Sequence, residues 1–285
     1  MKWAQLKSLA PFQVLHDLLH FLIVNKPPGI VSQSGKQHHS RKLDEESVIY
    51  QLSKQLRRDY PESKEYSQLK TVHRLDRPVT GAMVIAKTKI GAQNFSKNLQ
   101  QGGNKGFLIK RRYIALIQEP DLQYVYRNKC IHFTNKEKTQ GIITTDAGKT
   151  SVTKFHALTD LEPQPLSGLA EYFNRVPRIP VLLELVSGRK HQIREHLQEA
   201  FRQPVLNDME YDADPLHIDF NQIALHSLYV KTKVGMAMNE IIAPMCYGQG
   251  LWDGYLDQEG NFLPEIVQAV REFEVPYIPP KEVEM

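Results

Sequence analysis

Apolar residues occur along this chain in short runs whose spacing predicts a mixture of strands and helices. The run at residues 21–24 ends at a turn rich in proline and glycine, and the runs at 82–86 and 181–186 are also typical of buried strands. Residues 113–117 alternate in strand fashion. Two apolar groups at 223–225 and 228–230 predict either a pair of strands or one bent strand.

Three other segments carry apolar residues at helical spacing. They are residues 45–58 (with Val48, Ile49, Leu52 and Leu56), a second helix with Ala92, Phe95 and Leu99 on one face, and residues 189–200 (with Ile193, Leu197 and Ala200). The polar segments 32–42 and 160–180 predict loops. Because strands and helices alternate without strict βαβ order, we predict an α+β architecture.

Composition places the chain among ordinary globular proteins. Of its 285 residues 41% are hydrophobic and 24% are charged. A formal net charge of +4 is compatible with nucleic-acid binding. Cys130 and Cys246 are not spaced for metal binding and predict free thiols in a reducing compartment. Because no apolar stretch reaches the roughly 18 residues of a membrane span, and no secretory signal is evident, we expect a soluble intracellular protein.

Motifs for common cofactors and hydrolases are missing from the sequence. It contains no Walker-type phosphate loop, no GxGxxG, no HExxH and no GxSxG. The most informative segment is instead HRLDRPVTG at residues 73–81. It places Asp76 on a loop between two arginines, before the apolar run, with Thr80 and Gly81 allowing the turn into the strand. Taken alone, such an aspartate is more often a structural turn residue than a catalytic one.

Five sequence blocks, in order between residues 21 and 230, resemble the RluA-type RNA pseudouridine synthases. They are FLIVNKPPG (21–29), HRLDRPVTG with AKT (73–81 and 86–88), KRRYIA (110–115), SGRKHQIREHL (187–197) and ALHS (224–227). The chain departs from the family pattern at Val79-Thr80-Gly81, where relatives have TSG. It also has NDMEYD at residues 207–212, where relatives have GDxxYG.

The resemblance implies a pseudouridine synthase fold, with a mixed, largely antiparallel sheet flanked by helices and loops around a central RNA-binding cleft. We expect a catalytic domain at residues 21–272, between an N-terminal extension (1–20) and a C-terminal tail (273–285). No room is expected for the S4 RNA-binding module of many relatives, so the catalytic domain would hold RNA by itself or with help.

The family also implies roles for single residues. Asp76 would be the catalytic carboxylate, attacking C1′ of the sugar or removing its 2′ proton. Arg189 would pair with Asp76, and Tyr113 would stack on the target base. Arg74 would fill the gap left by the flipped nucleotide. Leu225 would pack against that base, although a place in the core is equally expected. Further RNA contacts are expected from Lys110, Lys190 and Arg194, and Lys87, Arg111 and Arg112 would serve phosphates or solvate the surface.

The implied reaction converts uridine to pseudouridine in structured RNA without a cofactor or a metal. Ribosomal RNA is the first expectation, including that of an organellar large subunit, and transfer RNA the second. The protein is expected to be a monomer in the mitochondrial matrix or the cytoplasm, and a ribosomal precursor particle is a further expected partner. One alternative is an RNA-binding ribosome-assembly factor with a non-catalytic role. A glycosidase is disfavoured, because it usually needs two carboxylates and no second acid is evident beside Asp76.

Overall fold

The computed structural model describes residues 12–33, 45, 47–100, 105–146, 150–164, 177–216 and 221–277. Most of the loop predicted at residues 32–42 lies outside this part of the chain. The same holds for residues 165–176 of the loop predicted at 160–180, and for residues 278–285 of the predicted tail.

The described residues form strands and helices in mixed order. The strands are β1 (Gln13–Asp17), β2 (Phe21–Lys26), β3 (Lys70–Thr71), β4 (Thr80–Ala86), β5 (Leu108–Gln118), β6 (Ile131–Phe133), β7 (Gln140–Asp146), β8 (Thr150–Ala157), β9 (Arg178–Leu185), β10 (Leu225–Val234) and β11 (Ala237–Ile242). The helices are α1 (Val48–Asp59), α2 (Lys89–Gln100), α3 (Leu122–Arg127), α4 (Gln192–Phe201) and α5 (Pro264–Glu272), with 3₁₀ turns at Met209–Tyr211 and Gln249–Trp252.

One sheet joins these strands in the order β1-β2-β4-β10-β5-β9-β8-β7-β6, with β3 paired to β4 and β11 to β10. Among the described pairs, β4 and β10 run parallel and the others antiparallel. This confirms the predicted α+β class and the mixed, largely antiparallel sheet. Leu225 and the apolar group at 228–230 belong to one strand, β10, whose register with β5 shifts between His226 and Tyr229, whereas Ile223 and Ala224 precede it.

The predicted helices pack as their spacing indicates. Helix α1 buries Val48, Leu52 and Leu56, and its N-cap Ser47 accepts a hydrogen bond from the backbone of Tyr50. The third predicted helix begins later than expected, at Gln192 instead of Arg189, because His191 adopts a left-handed conformation with φ of 56°. Arg189 therefore lies on the loop before α4.

Both ends of the described chain pack more closely than the predicted domain boundaries suggest. Strand β1, within the predicted extension, pairs with β2. Phe273 and Val275, at the start of the predicted tail, are only 2% and 3% exposed. Phe12, Phe273 and Val275 belong to the same core cluster as the central strands.

Gly81 allows β4 to approach β10 closely. Its φ is 108°, and a Cβ atom at this position would overlap the backbone of Ser227 on β10. Glycine is the residue that adopts this conformation without a steric penalty. The turn itself lies at Arg77 and Pro78, so Thr80 and Gly81 begin β4 and do not form the turn that the sequence predicts. The close approach at Gly81 nevertheless positions the preceding loop, which carries Asp76.

Candidate active site

A cavity of about 1510 Å³ opens where the loop between β3 and β4 meets the start of β5 and the N-terminus of α4. Seven residues that the sequence analysis singled out line it, namely Arg74, Asp76, Lys110, Arg111, Arg189, Lys190 and Arg194. Tyr113 and Leu225 are each 3% exposed and are not among the lining residues. The fold thus brings three distant sequence blocks to one concave surface.

The loop that carries Asp76 is fastened to the turn after β2. The hydroxyl of Ser32 donates to the carbonyl of Leu75 (2.6 Å) and accepts from its N–H (3.0 Å). On the other side of Asp76, the carbonyl of Arg77 accepts from the N–H of Gly29, and its Nε donates to the carbonyl of Gly29, both at 2.8 Å. The Asp76 side chain is 27% exposed. Because both neighbours are held, this carboxylate has a defined place in the wall of the cavity.

Lys26, at the end of β2, supports the same loop from inside. Its side chain is fully buried, and its Nζ donates to the carbonyls of Pro27 (2.9 Å), Arg77 (3.1 Å) and Val79 (2.8 Å). Burial lowers the pKa of Lys26 to about 7, while the Asp76 charge acts in the opposite direction. The sequence analysis did not identify Lys26 as a site residue, although it lies within the quoted NKPPG turn.

The arginine that faces Asp76 is Arg194. Its Nη1 lies 3.7 Å from Oδ2 of Asp76, and the side chain is only 2% exposed. Its Nε and Nη2 donate to the two oxygens of Asp208, each at 2.5 Å, and Nη2 also contacts Glu210 at 2.8 Å. Burial disfavours the charge, but the hydrogen bonds and charges of Asp208 and Glu210 outweigh it and raise the pKa of Arg194. A permanent cation is thereby held beside Asp76.

The prediction that Arg189 pairs with Asp76 is wrong. Among the described residues, the basic side chains within 4.0 Å of Asp76 are those of Arg194 and His191. The reason is local geometry. The left-handed turn at His191 leaves Arg189 on the loop before α4. His191 and Arg194, three residues apart at the start of that helix, share one face. Arg194, which the sequence analysis expected to contact RNA, lines the cavity with a side chain that is only 2% exposed, and its contact with RNA stays a prediction.

Arg189 lies near a different residue. Its charge adds to burial in lowering the pKa of His196 to about 4. Its Nη2 is buried, and no hydrogen-bond partner for it is found among the described residues.

The altered block at residues 207–212 keeps the backbone that the family pattern requires. Asn207 and Asp212, which replace the two family glycines, have φ angles of 66° and 65°. Asparagine and aspartate tolerate this left-handed region better than other non-glycine residues. Asn207 also accepts from the N–H of Leu216 (2.8 Å) and donates to the carbonyl of Gln222 (2.6 Å). The block therefore places Asp208 against Arg194, and through Arg194 it affects the position of Asp76.

The same block brings further acids to the cavity. Asp208 and Glu210 both line it, and Glu210 remains well exposed (60%). The sequence analysis found no second acid beside Asp76, whereas the structure places two further acids, Asp208 and Glu210, in the same cavity. Both additional carboxylates are bound to Arg194, however, and this arrangement does not provide the independent acid that a glycosidase needs.

His191 forms the other contact with Asp76. Its Nε2 lies 3.9 Å from Oδ1 of Asp76, and its Nδ1 lies 3.1 Å from the hydroxyl of Tyr211. That hydroxyl donates to Glu195 at 3.2 Å. His191 is thereby held between Asp76 and the altered block. The sequence analysis assigned no role to His191.

Tyr113 and Leu225 are placed deeper than their expected roles suggest. Tyr113 lies on β5, opposite Leu183 of β9. Burial raises its pKa; the charge of Arg111 opposes this change and that of Asp76 adds to it, so the phenol lies within electrostatic range of both. Leu225 belongs to the main core cluster, which favours the core alternative. The apolar residue that lines the cavity nearby is Ile223.

The remaining basic residues divide into two groups. Arg74 and Lys190 are exposed on the cavity wall, and no ion pair within 4.0 Å is found for either in the described part of the chain. Lys110 also lines the cavity and pairs with Glu184 at 3.3 Å. These positions suit contacts with phosphates.

Lys87 and Arg112 are buried instead. Lys87 pairs with Asp17 (2.6 Å) and Glu65 (2.8 Å). Arg112 donates to the carbonyls of Val270 and Arg271 in the last turn of α5, where a cation is favoured. The expectation that these two residues serve phosphates or the surface is therefore wrong.

Comparison with known proteins identifies the family to which this chain belongs. The family model described as RNA pseudouridylate synthase matches residues 20–199. The chain is 33% identical over 271 residues to the 21S rRNA pseudouridine(2819) synthase of Saccharomyces cerevisiae, covering 91% of this chain and 95% of that protein. It is 32% identical to the protein of the same name from Eremothecium gossypii, covering 92% and 89%.

Solved structures support the fold. Human RNA Pseudouridylate Synthase Domain Containing 1 superposes with a TM-score of 0.56 at 20% identity, covering 93% of this chain and 97% of that one. Helices that could cross a bilayer, being both long and apolar enough, are absent from the described residues. The family match and the relatives above 30% identity, together with the carboxylate cavity, show that this chain belongs to the RNA pseudouridylate synthase family and is an RNA pseudouridine synthase.

Proposed function

We propose that this protein isomerises a uridine of large-subunit ribosomal RNA, with Asp76 as the catalytic carboxylate. The observation that carries the proposal is the placement of Asp76 in the cavity wall, on a loop fixed at both neighbours and 3.7 Å from a buried arginine. The two cited relatives are named for 21S ribosomal RNA, which favours ribosomal over transfer RNA as the substrate.

Two routes are open to Asp76. Its carboxylate could attack C1′ and displace N1 of uracil, or it could remove the 2′ proton so that a glycal forms as uracil leaves. In both routes the freed uracil turns and C5 bonds to C1′; this releases the Asp76 carboxylate from C1′ in the first route and is accompanied by return of the 2′ proton in the second. C5 then loses its proton and N1 gains one. Atoms and electrons balance within the nucleotide, so the reaction requires no cofactor.

The neighbouring residues would position the reactants. Arg194 orients Asp76, and Lys26 holds the carbonyls on either side of the turn at Pro78. Arg74, exposed on the wall, is placed to occupy the gap that a flipped nucleotide leaves in an RNA stem. Tyr113 can stack on the target base only if the wall in front of it opens, because its side chain is 3% exposed.

The compartment and the assembly state follow from the same proposal. The 21S ribosomal RNA in the names of the relatives favours the mitochondrial matrix over the cytoplasm. We further propose that the protein acts as a monomer, on ribosomal RNA or on a precursor particle. The non-catalytic assembly role gains no support from the named relatives, which are called synthases.

The test compares pseudouridine maps of all cellular RNA with and without the protein. We expect one or a few large-subunit ribosomal uridines to lose modification, and to regain it with the wild-type protein but not with Asp76→Asn. Asp214→Asn, at an exposed position that does not line the cavity, is the matched control and should restore modification. Full modification by Asp76→Asn would contradict the proposed role, and an unchanged map without the protein would contradict the proposed substrate.

A further inference from the structure

A second groove, of about 950 Å³, lies beside the active-site cavity, between α1 and β3. Its basic and aromatic lining residues are Tyr50, Lys54 and Arg57 of α1 and Lys70 of β3. Tyr50, Lys54 and Arg57 are four and three residues apart, so their side chains share one face of the helix. From Tyr50 to Arg57, seven residue steps, the helix rises about 10 Å.

The charges of this groove are not neutralised by the protein. None of its lining residues is acidic. Within the described residues, Lys54, Arg57 and Lys70 form no ion pair within 4.0 Å, whereas their neighbour Arg58 pairs with Asp59 at 2.9 Å. Arg57 by itself could be explained by the favourable position of a cation at a helix C-terminus. Lys70 is not on the helix, and Lys54 precedes its last turn, so that explanation does not cover the groove.

The groove also offers an exposed ring. Tyr50 lines the groove and is 45% exposed. An accessible aromatic face beside unpaired cations is the combination that binds single-stranded nucleic acid, since bases stack on the ring and phosphates approach the cations.

The groove is continuous with the active site. Gln33 and Thr71 line both cavities, and the hydroxyl of Thr71 donates to the Gln33 side chain at 2.5 Å. Thr71 is also the last residue of β3, from which the loop leads to Asp76. Five residues of extended chain span at most about 18 Å, so an RNA strand in the groove would lie within a few nucleotides of the target.

We propose that this groove is an accessory RNA-binding site, which holds the substrate strand next to the target uridine through its phosphates and one stacked base. Lys54, Arg57 and Lys70 contact the phosphates, and Tyr50 stacks on the base. The proposal rests on the RNA substrate proposed above. The groove increases the affinity for that RNA and takes no part in the isomerisation.

The experiment uses two RNA probes, an extended large-subunit ribosomal transcript containing the mapped uridine and a short hairpin lacking the flanking nucleotides. A triple variant, Lys54→Ala with Arg57→Ala and Lys70→Ala, is compared with Arg58→Ala with Lys64→Ala and Lys136→Ala. The control removes the same charge from exposed positions outside both cavities. Thermal melting shows first that both variants are folded.

For the extended transcript we expect the groove variant to bind at least tenfold more weakly than the control. The slope of log Kd plotted against log salt concentration should be smaller by about 2–3 in the groove variant. The single-turnover rate at saturating RNA should be unchanged, as should binding of the hairpin. Tyr50→Ala should weaken binding about tenfold, and Tyr50→Phe should not.

Equal Kd values and salt slopes for the groove and control variants would overturn the inference, as they would show that the groove serves another partner or none. Failure of the wild-type protein to modify any RNA would instead refute the proposed function.

Discussion

The Nη1 atom of Arg194 lies 3.7 Å from Oδ2 of Asp76. The other edge of the same guanidinium group donates to both oxygens of Asp208 at 2.5 Å. Asp208 thereby orients a planar cation whose remaining nitrogen faces the proposed catalytic carboxylate. Lysine cannot reproduce this arrangement, because its ammonium group acts as a single point charge.

Arg194→Lys should therefore lower the rate of pseudouridine formation by roughly 100-fold, since a small displacement of Asp76 is costly. It should also destabilise the fold by roughly 1–3 kcal/mol, because a buried bidentate interaction is lost. Single-turnover kinetics and urea unfolding measure the two effects. Arg189→Lys is the matched control and should stay within a few-fold of the wild-type rate. A larger loss of rate in Arg189→Lys than in Arg194→Lys would show that our reassignment of the arginine is mistaken.

Lys26→Met should destabilise the protein by about 3 kcal/mol or more, because the carbonyls of Pro27, Arg77 and Val79 would lose a buried donor. Activity should fall as well, since two of these carbonyls flank the turn after Asp76. Lys231→Met removes a partly exposed lysine that pairs with Glu240, and should cost less than about 1 kcal/mol. Denaturant unfolding of both variants tests this, and equal costs would exclude the proposed support of the loop.

Acid should destabilise the fold through His226, which is fully buried and donates from Nε2 to the carbonyl of Ala243. Burial lowers its pKa to about 4 from the usual histidine value of 6.5. The unfolded chain therefore binds a proton between pH 6.5 and 4 that the folded chain does not, and stability decreases as the pH falls through this window. The loss is about 3 kcal/mol at most.

His226→Gln should reduce this pH dependence when unfolding free energies are compared at pH 7 and pH 4.5. His132→Gln, at an exposed position, should leave it unchanged. Identical pH dependence in His226→Gln and the wild-type protein would assign acid sensitivity to other groups.

Gly81→Ala should destabilise the protein by more than about 3 kcal/mol, because the new methyl group would overlap the backbone of Ser227 and the φ angle of 108° is unfavourable. Gly235→Ala tests the conformational cost alone. Gly235 has a φ of 60° with no atom within 4 Å of the added Cβ, and its substitution should cost about 1–2 kcal/mol. Thermal or urea unfolding distinguishes the two, and a cost at Gly81 no greater than that at Gly235 would argue against the close approach of β4 and β10.

Much of the local structure was predictable from the sequence, because it depends on the spacing of neighbouring residues. Helices α1 and α2 and strands β2, β4, β5 and β9 lie where apolar periodicity placed them. The loop position of Asp76 followed from the proline after Arg77. The family followed from five blocks in order, and the comparisons confirm it.

By itself, then, the sequence determined the fold class, the family and the central carboxylate. The tertiary structure decided which arginine faces Asp76, because one left-handed residue, His191, changes the side of the chain that enters the cavity. It also decided that Leu225 lies in the core, and that Asn207 and Asp212 keep the backbone of a glycine motif. Which side chains are buried or meet one another depends on φ angles and on packing between distant segments, and residue types and spacing do not specify either.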